Sequence, residues 1–222
     1  MERVSPVLAF DVNETLLDLR ALDEPFDHVF GDASARAQWF AQLLQSALVT
    51  TVTDAYSDFG TIARAALEMV AARRDRRLTD EEAGEILGTM RRLPPHPEVP
   101  EALERLRAGG HRLATLTNST EEVATAQLEH AGLASVFERV LSAGAVARLK
   151  PAPEPYRMAA RELGVESGNL RLVAAHAWDV AGALRAGCLA AFVARPGMVL
   201  DPLAPAPDIV VRDLAELADR LL

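Results

Sequence analysis

The chain has 222 residues, half of them hydrophobic and a quarter charged, with a mean hydropathy of +0.07. That is enough for a sizeable core and a smaller inserted unit, and it excludes a disordered tail or a peptide hormone. A net charge of −9 and an isoelectric point near 5.1 exclude nucleic acid and anionic membranes as partners but leave room for a local cationic pocket that takes a small anion.

The single cysteine, Cys188, excludes an internal disulfide and a thiolate zinc site and reads as a small buried hydrophobe. No apolar stretch reaches the ~18 residues of a membrane-spanning helix, and Met1–Asp11 lacks the long apolar run and cleavage site of a signal peptide. The expected location is cytoplasmic.

In chain order, the apolar run Val7-Leu8-Ala9-Phe10 predicts a strand buried on both faces. It ends on Asp11, which places a carboxylate at the carboxyl edge of the sheet, where open α/β folds hold their ligands. From Leu19 to Leu93 the apolar spacing turns helical, as in Trp39-Phe40-Leu43-Leu44-Leu48 and Ile62-Ala65-Ala66-Met69. Thr79 and Glu82 form a capping box at one helix start. Pro94-Pro95-His96-Pro97 then breaks the pattern and predicts a hinge, because each proline removes a donor and drives its predecessor out of the helical region.

Beyond it, strands over Arg112–Leu116, Arg139–Leu141, Leu170–Ala174, Ala190–Val193 and Ile209–Val211 alternate with helices over Val99–Ala108, Glu121–Ala131, Pro155–Leu163, Val180–Ala186 and Leu214–Leu221. Such alternation implies parallel strands with crossover helices. The expected fold is α/β: a doubly wound, Rossmann-like parallel-sheet core of residues 1–18 and 94–222, with a helical cap of residues 19–93 inserted after the first strand.

Four segments carry chemistry. Asp11-Val12-Asn13-Glu14-Thr15 leaves the first strand with an acid and, four residues on, a hydroxyl able to face one site; a carboxylate there can attack an electrophilic centre and form a covalent intermediate. Thr117-Asn118-Ser119 ends another strand with three hydrogen-bonding side chains suited to an anionic substrate. Lys150 precedes a rigid Pro151-Ala152-Pro153 turn, and His176-Ala177-Trp178-Asp179 follows a later strand with an imidazole and a carboxylate three residues apart.

These segments, in this order and over nearly the whole chain, resemble the haloacid dehalogenase superfamily: an Asp in a DxxxT loop, a Ser/Thr after the next strand, a Lys before proline and a final acidic loop. Within it the chain is most similar to the type II (L-) 2-haloacid dehalogenases, through Thr117-Asn118, Lys150-Pro151-x-Pro153 with Tyr156, and the pattern around Trp39 and Tyr56-Ser57-Asp58-Phe59. The resemblance implies that Asp11 displaces halide from a short 2-haloacid with inversion and that water hydrolyses the ester. It implies catalytic roles for Asp11, Thr15, Lys150 and Asp179, and substrate contacts from Thr117, Asn118 and Tyr156; from their places beside these motifs, His176 is a further catalytic candidate and Asn13, Phe40 and Trp178 further substrate contacts. It requires no cofactor and no metal, and it implies a homodimer formed through the cap, acting on a small anionic organic acid.

Two departures bear on that expectation. The dehalogenases carry an arginine just after the tryptophan of the first cap helix, where this chain has Phe40, and Arg36, one turn away, reads as a surface residue. His176 stands where many of them have asparagine; it can serve as a base towards water or as a proton donor. The His-x-x-Asp loop also resembles the cis-epoxysuccinate hydrolases, which makes epoxide opening the alternative. A Mg²⁺-dependent phosphatase of the same superfamily is the other rival. It normally uses a second acid two residues after the nucleophile, and the amide of Asn13 cannot deliver a proton. His28, His96, His111 and His130 have no ligand spacing and are given no role.

Overall fold

The structure is a computed structural model and describes residues 5–222. The first four residues, part of the start considered above, lie outside the described residues. In chain order β1 (Val7–Phe10) leads into α1 (Asp23–Phe30), α2 (Ala35–Val52), α3 (Phe59–Ala72) and α4 (Asp80–Met90). Next come α5 (Val99–Ala108), β2 (Leu113–Thr117), α6 (Glu121–His130), β3 (Arg139–Ser142) and α7 (Pro153–Glu162). The chain finishes with β4 (Leu170–Ala174), α8 (Ala177–Arg185), β5 (Leu189–Val193), β6 (Ile209–Val211) and α9 (Leu214–Leu221).

The strands form one parallel sheet in the order β3-β2-β1-β4-β5-β6. The continuous apolar run of β1 is explained by its central place: Phe10 pairs with Thr115 of β2 on one side and Val173 of β4 on the other, and every β1 residue is buried. Successive connections run outward from β1 in opposite directions, so the switch in strand order falls between β1 and β4, and the crevice beyond their carboxyl ends is where such a sheet binds ligands.

All regular structure between β1 and β2 is helical among the described residues, as expected from the spacing. The Thr79–Glu82 capping box forms in both directions at the start of α4. Phe26 and Trp39 pack at 5.3 Å between ring centroids, and the buried Trp39 indole satisfies its N–H on the Ala63 carbonyl at 2.9 Å. This cluster is continuous with the apolar face of the sheet through Phe10, Leu16 and Leu17; the opposite face packs on α7 and α8 through Tyr156, Ala159, Val180 and Ala183.

The proline stretch does end the helical block, but it is tied down. Asp18 N–H donates to Pro94 O at 2.8 Å and His96 N–H to Leu16 O at 2.9 Å, so the outgoing and returning chains are hydrogen-bonded to each other, which limits independent movement. The last catalytic-type segment also differs from expectation. α8 begins at Ala177 rather than Val180, and His176 is its extended N-terminal boundary residue, whose carbonyl accepts from Asp179 and Val180 N–H. No helix among the described residues is long and apolar enough to cross a membrane.

Gly182 on α8 shows how tightly the layer beneath the crevice is filled. A Cβ there would meet Tyr156 Oη at 2.5 Å, Pro151 Cβ at 2.6 Å and Pro151 O at 2.9 Å. Gly182→Ala is therefore expected to destabilise the protein by about 1–3 kcal/mol, measured by urea unfolding; an unchanged midpoint would contradict this packing.

Candidate active site

The loop after β1 turns sharply. Leu16 N–H donates to Val12 O at 2.9 Å and Glu14 N–H to Leu17 O at 2.9 Å, with Glu14 in the left-handed region at φ 61°. For a residue with a Cβ this conformation costs about 1–2 kcal/mol. The turn brings Thr15 back beneath Asp11: Thr15 Oγ1 donates to Asp11 Oδ2 at 2.8 Å and accepts from Ala175 N–H at 2.9 Å. A hydroxyl four residues after the acid therefore links the ends of β1 and β4.

Lys150 comes from the loop before α7, joined to Pro151 by a cis peptide bond. Its buried ammonium uses all three of its N–H groups: on Asp11 Oδ1 at 2.9 Å, Asp179 Oδ2 at 2.6 Å and the Leu116 carbonyl at 2.7 Å. Tyr156 Oη, from α7, donates to Asp179 Oδ1 at 2.6 Å. Both oxygens of Asp179 thus accept strong hydrogen bonds, as a fully buried carboxylate requires.

His176 closes the other side. Its Nδ1 lies 3.2 Å from Asp11 Oδ2 and its Nε2 2.8 Å from Glu14 Oε2. A carboxylate only accepts, so both ring nitrogens donate and the ring is an imidazolium. It is stacked on Trp178, with centroids 5.3 Å apart, and faces Phe40 at 5.9 Å. The Trp178 ring also lies 5.9 Å from Lys150 Nζ, and its indole N–H is buried without an acceptor.

The expected catalytic residues Asp11, Thr15, Lys150, His176 and Asp179 are thus brought into one cluster, and Phe40 and Trp178 reach its wall. Three expected substrate contacts are engaged with protein partners. Tyr156 is fully buried beneath Asp179, because α7 packs under the sheet edge and leaves no space around its hydroxyl. Asn118 spends both ends of its amide on the Lys150 main chain, accepting from its N–H at 2.7 Å and donating to its carbonyl at 3.2 Å. Asn13 donates to Ser119 Oγ at 3.3 Å and accepts from Gln127 Nε2 at 3.0 Å. All three support the cluster from behind. Thr117 Oγ1 accepts from Ser119 N–H at 3.2 Å, which leaves its own proton to give.

Sequence reasoning missed Glu14, Gln127 and Arg195. Glu14 was legible as the charged neighbour of Thr15; Gln127 sits mid-helix, and Arg195, which donates to Thr15 O at 2.9 Å and pairs with Glu98 at 2.6 Å, lies far along the chain. Neither of these two carries a local signal. Arg36, expected at the surface, is half-buried; it lines the cleft on the outer side of Glu14 and is paired with Asp23 at 2.5 Å.

The charges sort the groups. Burial alone would raise the Asp11 pKa, but the Lys150 ammonium and the His176 hydrogen bond outweigh it and hold the carboxyl far below its ordinary range. Asp179 is pushed upward, by burial first and by the charge of Asp11, against Lys150. Burial disfavours charged Lys150, yet Asp11 and Asp179 raise its pKa overall. For His176 burial is again overcome, here by hydrogen bonds to Asp11 and Glu14, and the pKa rises to about 9.

This donor set does not suit a divalent cation. An ammonium already bridges Asp11 and Asp179, a phenol takes the remaining Asp179 oxygen, and an imidazolium faces the remaining Asp11 oxygen. No group of three or more His, Cys, Asp or Glu among the described residues could hold a metal ion.

Lys150→Met leaves two buried carboxylates without their cation. It is expected to cost about 3–5 kcal/mol near neutral pH and less at pH 5, where proton uptake relieves the repulsion; urea titrations at the two pH values read this out. For His176 the folded pKa, about 9, lies above its ordinary 6.5. Its stabilisation, up to about 3 kcal/mol, is therefore complete below pH 6.5 and lost as pH rises through 9. The stability gap between wild type and His176→Asn should narrow over that range; a pH-independent gap would contradict the imidazolium.

The model of the haloacid dehalogenase-like hydrolases matches residues 6–187. An (S)-2-haloacid dehalogenase of Pseudomonas sp. (strain YL) is 27% identical over 96% of this chain and 92% of its own length. The (S)-2-haloacid dehalogenase 4A of Burkholderia cepacia is 31% identical over 80% of this chain and 78% of its own. The fold is shared with an L-2-haloacid dehalogenase from Xanthobacter autotrophicus, with a TM-score of 0.92 at 24% identity over 98% of both chains. With the family match spanning β1 to β4, the Asp11 loop, Lys150 and the His176–Asp179 segment, the chain belongs to the haloacid dehalogenase-like hydrolases.

Proposed function

We propose that this hydrolase acts at carbon: Asp11 displaces halide from the α-carbon of a short 2-haloacid, with inversion, and water hydrolyses the resulting aspartyl ester to the 2-hydroxyacid. The observation that carries this reading is a buried Asp11 kept ionised by Lys150 at 2.9 Å, with an amide rather than an acid two residues later. A carboxylate with a strongly lowered pKa is a weak base, yet it is the ionised form that attacks, and enclosure replaces its hydration with fixed donors.

In this reading Thr15, Asp179 and Tyr156 are positioning residues: they fix Asp11 and Lys150. The Thr117 hydroxyl and the Lys150 charge attract the substrate carboxylate. Phe40 and Trp178 form an apolar wall, and the unpaired Trp178 N–H offers a donor to the departing anion. The helices α1 to α4 act as a cap that excludes water from the displacement step. The similarity to the two (S)-2-haloacid dehalogenases supports the substrate class.

One observation favours the epoxide reading as an alternative. Opening an epoxide leaves an alkoxide that needs a proton, and the His176 imidazolium, 3.2 Å from Asp11, holds one. The phosphatase reading is disfavoured by the donor set around Asp11 and by Asn13.

Halide release from the two enantiomers of 2-chloropropionate, in EDTA, is expected for wild type and to fall to background for Asp11→Asn. A single turnover in heavy-oxygen water should place the label in the Asp11 peptide rather than the product. Halide release abolished by EDTA, or label appearing first in the hydroxyacid, would remove the proposal; turnover of a cis-epoxydicarboxylate without any halide release would favour the alternative.

A further inference from the structure

Glu14 occupies the position in the Asp11 loop where the backbone is left-handed, at φ 61°. Glycine adopts that conformation without penalty, whereas a side chain there is retained only if something compensates. The compensation is visible in its contacts: Glu14 Oε2 meets His176 Nε2 at 2.8 Å, inside the cluster. The same residue lines an open cleft of about 300 Å³ on the outer side of the loop. Glu14 therefore stands between the buried imidazolium and solvent.

We infer that Glu14 is the positioning residue for His176: from the corner of the loop its carboxylate fixes Nε2, aims the Nδ1 proton at Asp11, and hands protons between the site and the cleft. The kinetic consequence rests on the aspartyl-ester reading above; the pairing itself does not.

The groups around this pair leave the role to Glu14. Inside are Asp11, Lys150 and Asp179, bonded to one another. From α2 the ring facing His176 is the uncharged Phe40. On the cleft side each arginine is already paired: Arg20 with Asp18, Arg36 with Asp23 and Arg195 with Glu98. His96 touches the Glu14 carbonyl at 3.1 Å, and burial, with the Arg195 charge, lowers its pKa so that it stays neutral.

The proton balance then closes. As Asp11 bonds to the α-carbon, the carbon–halogen bond breaks and halide leaves with its electron pair. The ester is neutral, so His176 has lost one of its two anions, and its proton passes to Glu14 and on to water in the cleft. The imidazole now takes a proton from the water whose oxygen attacks Asp11 Cγ. The bond from the ester oxygen to Cγ breaks, and the departing alkoxide keeps the second water hydrogen. Haloacid and water have become hydroxyacid, halide and one exported proton, with Asp11 ionised and His176 charged again. His176 is thus no base in the resting protein and becomes one only after esterification.

The test is an NMR titration of the His176 ring, without substrate, in wild type, Glu14→Gln and Glu14→Gly. Wild type should titrate near 9, and both variants about 1–3 pH units lower. A structural role alone would leave the His176 midpoint where it was. In turnover, Glu14→Gln should lower kcat more than it changes KM, because the His176 proton loses its way to the cleft, and Glu14→Asp should restore part of both kcat and the midpoint. An unchanged midpoint in both variants, or a wild-type midpoint near 6.5, overturns the inference whatever the substrate proves to be. A shifted midpoint with no turnover of any haloacid instead upholds the pairing and counts against the ester reading.

Discussion

The Lys150 ammonium is the contact on which the site depends. It ties together three segments distant in sequence: the end of β1 through Asp11, the end of β2 through the Leu116 carbonyl, and the first turn of α8 through Asp179. Removing a charge from water costs several kcal/mol, and the cost is met here only because every N–H of the ammonium has an acceptor at 2.6–2.9 Å. That demand explains the supporting layer. Asn118 clamps the Lys150 peptide from both sides, Tyr156 fills the free oxygen of Asp179, and Gly182 lets α8 approach closely enough for Tyr156 to do so.

Around this contact, three carboxylates share two cations in a row: Asp179, Lys150, Asp11, His176, Glu14. Alternation of sign lets a buried polar chain exist at all, and each member tunes the next. Asp11, flanked by a cation on both sides, is the most firmly ionised; Asp179, which has only Lys150 and is the more deeply buried, is pushed the other way. One oxygen of Asp11 is held by the ammonium and the other by Thr15 and the imidazolium. The carboxylate is thereby presented in one orientation, which is worth more to a displacement reaction than basicity.

Such an arrangement carries a stability cost at the loop that holds it. Glu14 sits in a conformation that favours glycine, and Asn13, Ser119 and Gln127 form a buried polar bridge behind the loop. Arg195 braces the same loop from the other side through the Thr15 carbonyl. Rigid support on two sides of a strained turn is what keeps a reactive carboxylate in place.

By itself the sequence determined the elements and their order. The β1 run, the helical block, the Thr79 capping box and the strand–helix alternation are local patterns of period and capping, and local patterns survive without knowledge of partners. It also marked Asp11, Thr15, Lys150, His176 and Asp179, since each stands at a strand end or beside a rigid turn. Only the tertiary structure decided what those side chains do. Tyr156, Asn118 and Asn13 were chemically suited to a substrate, but long-range packing turned each onto a protein partner. Likewise, neighbours in the chain could not show that His176 lies between two carboxylates: its partners Asp11 and Glu14 are 165 and 162 residues away. Protonation follows from distance in space, and that distance exists only once β1 and β4 lie side by side.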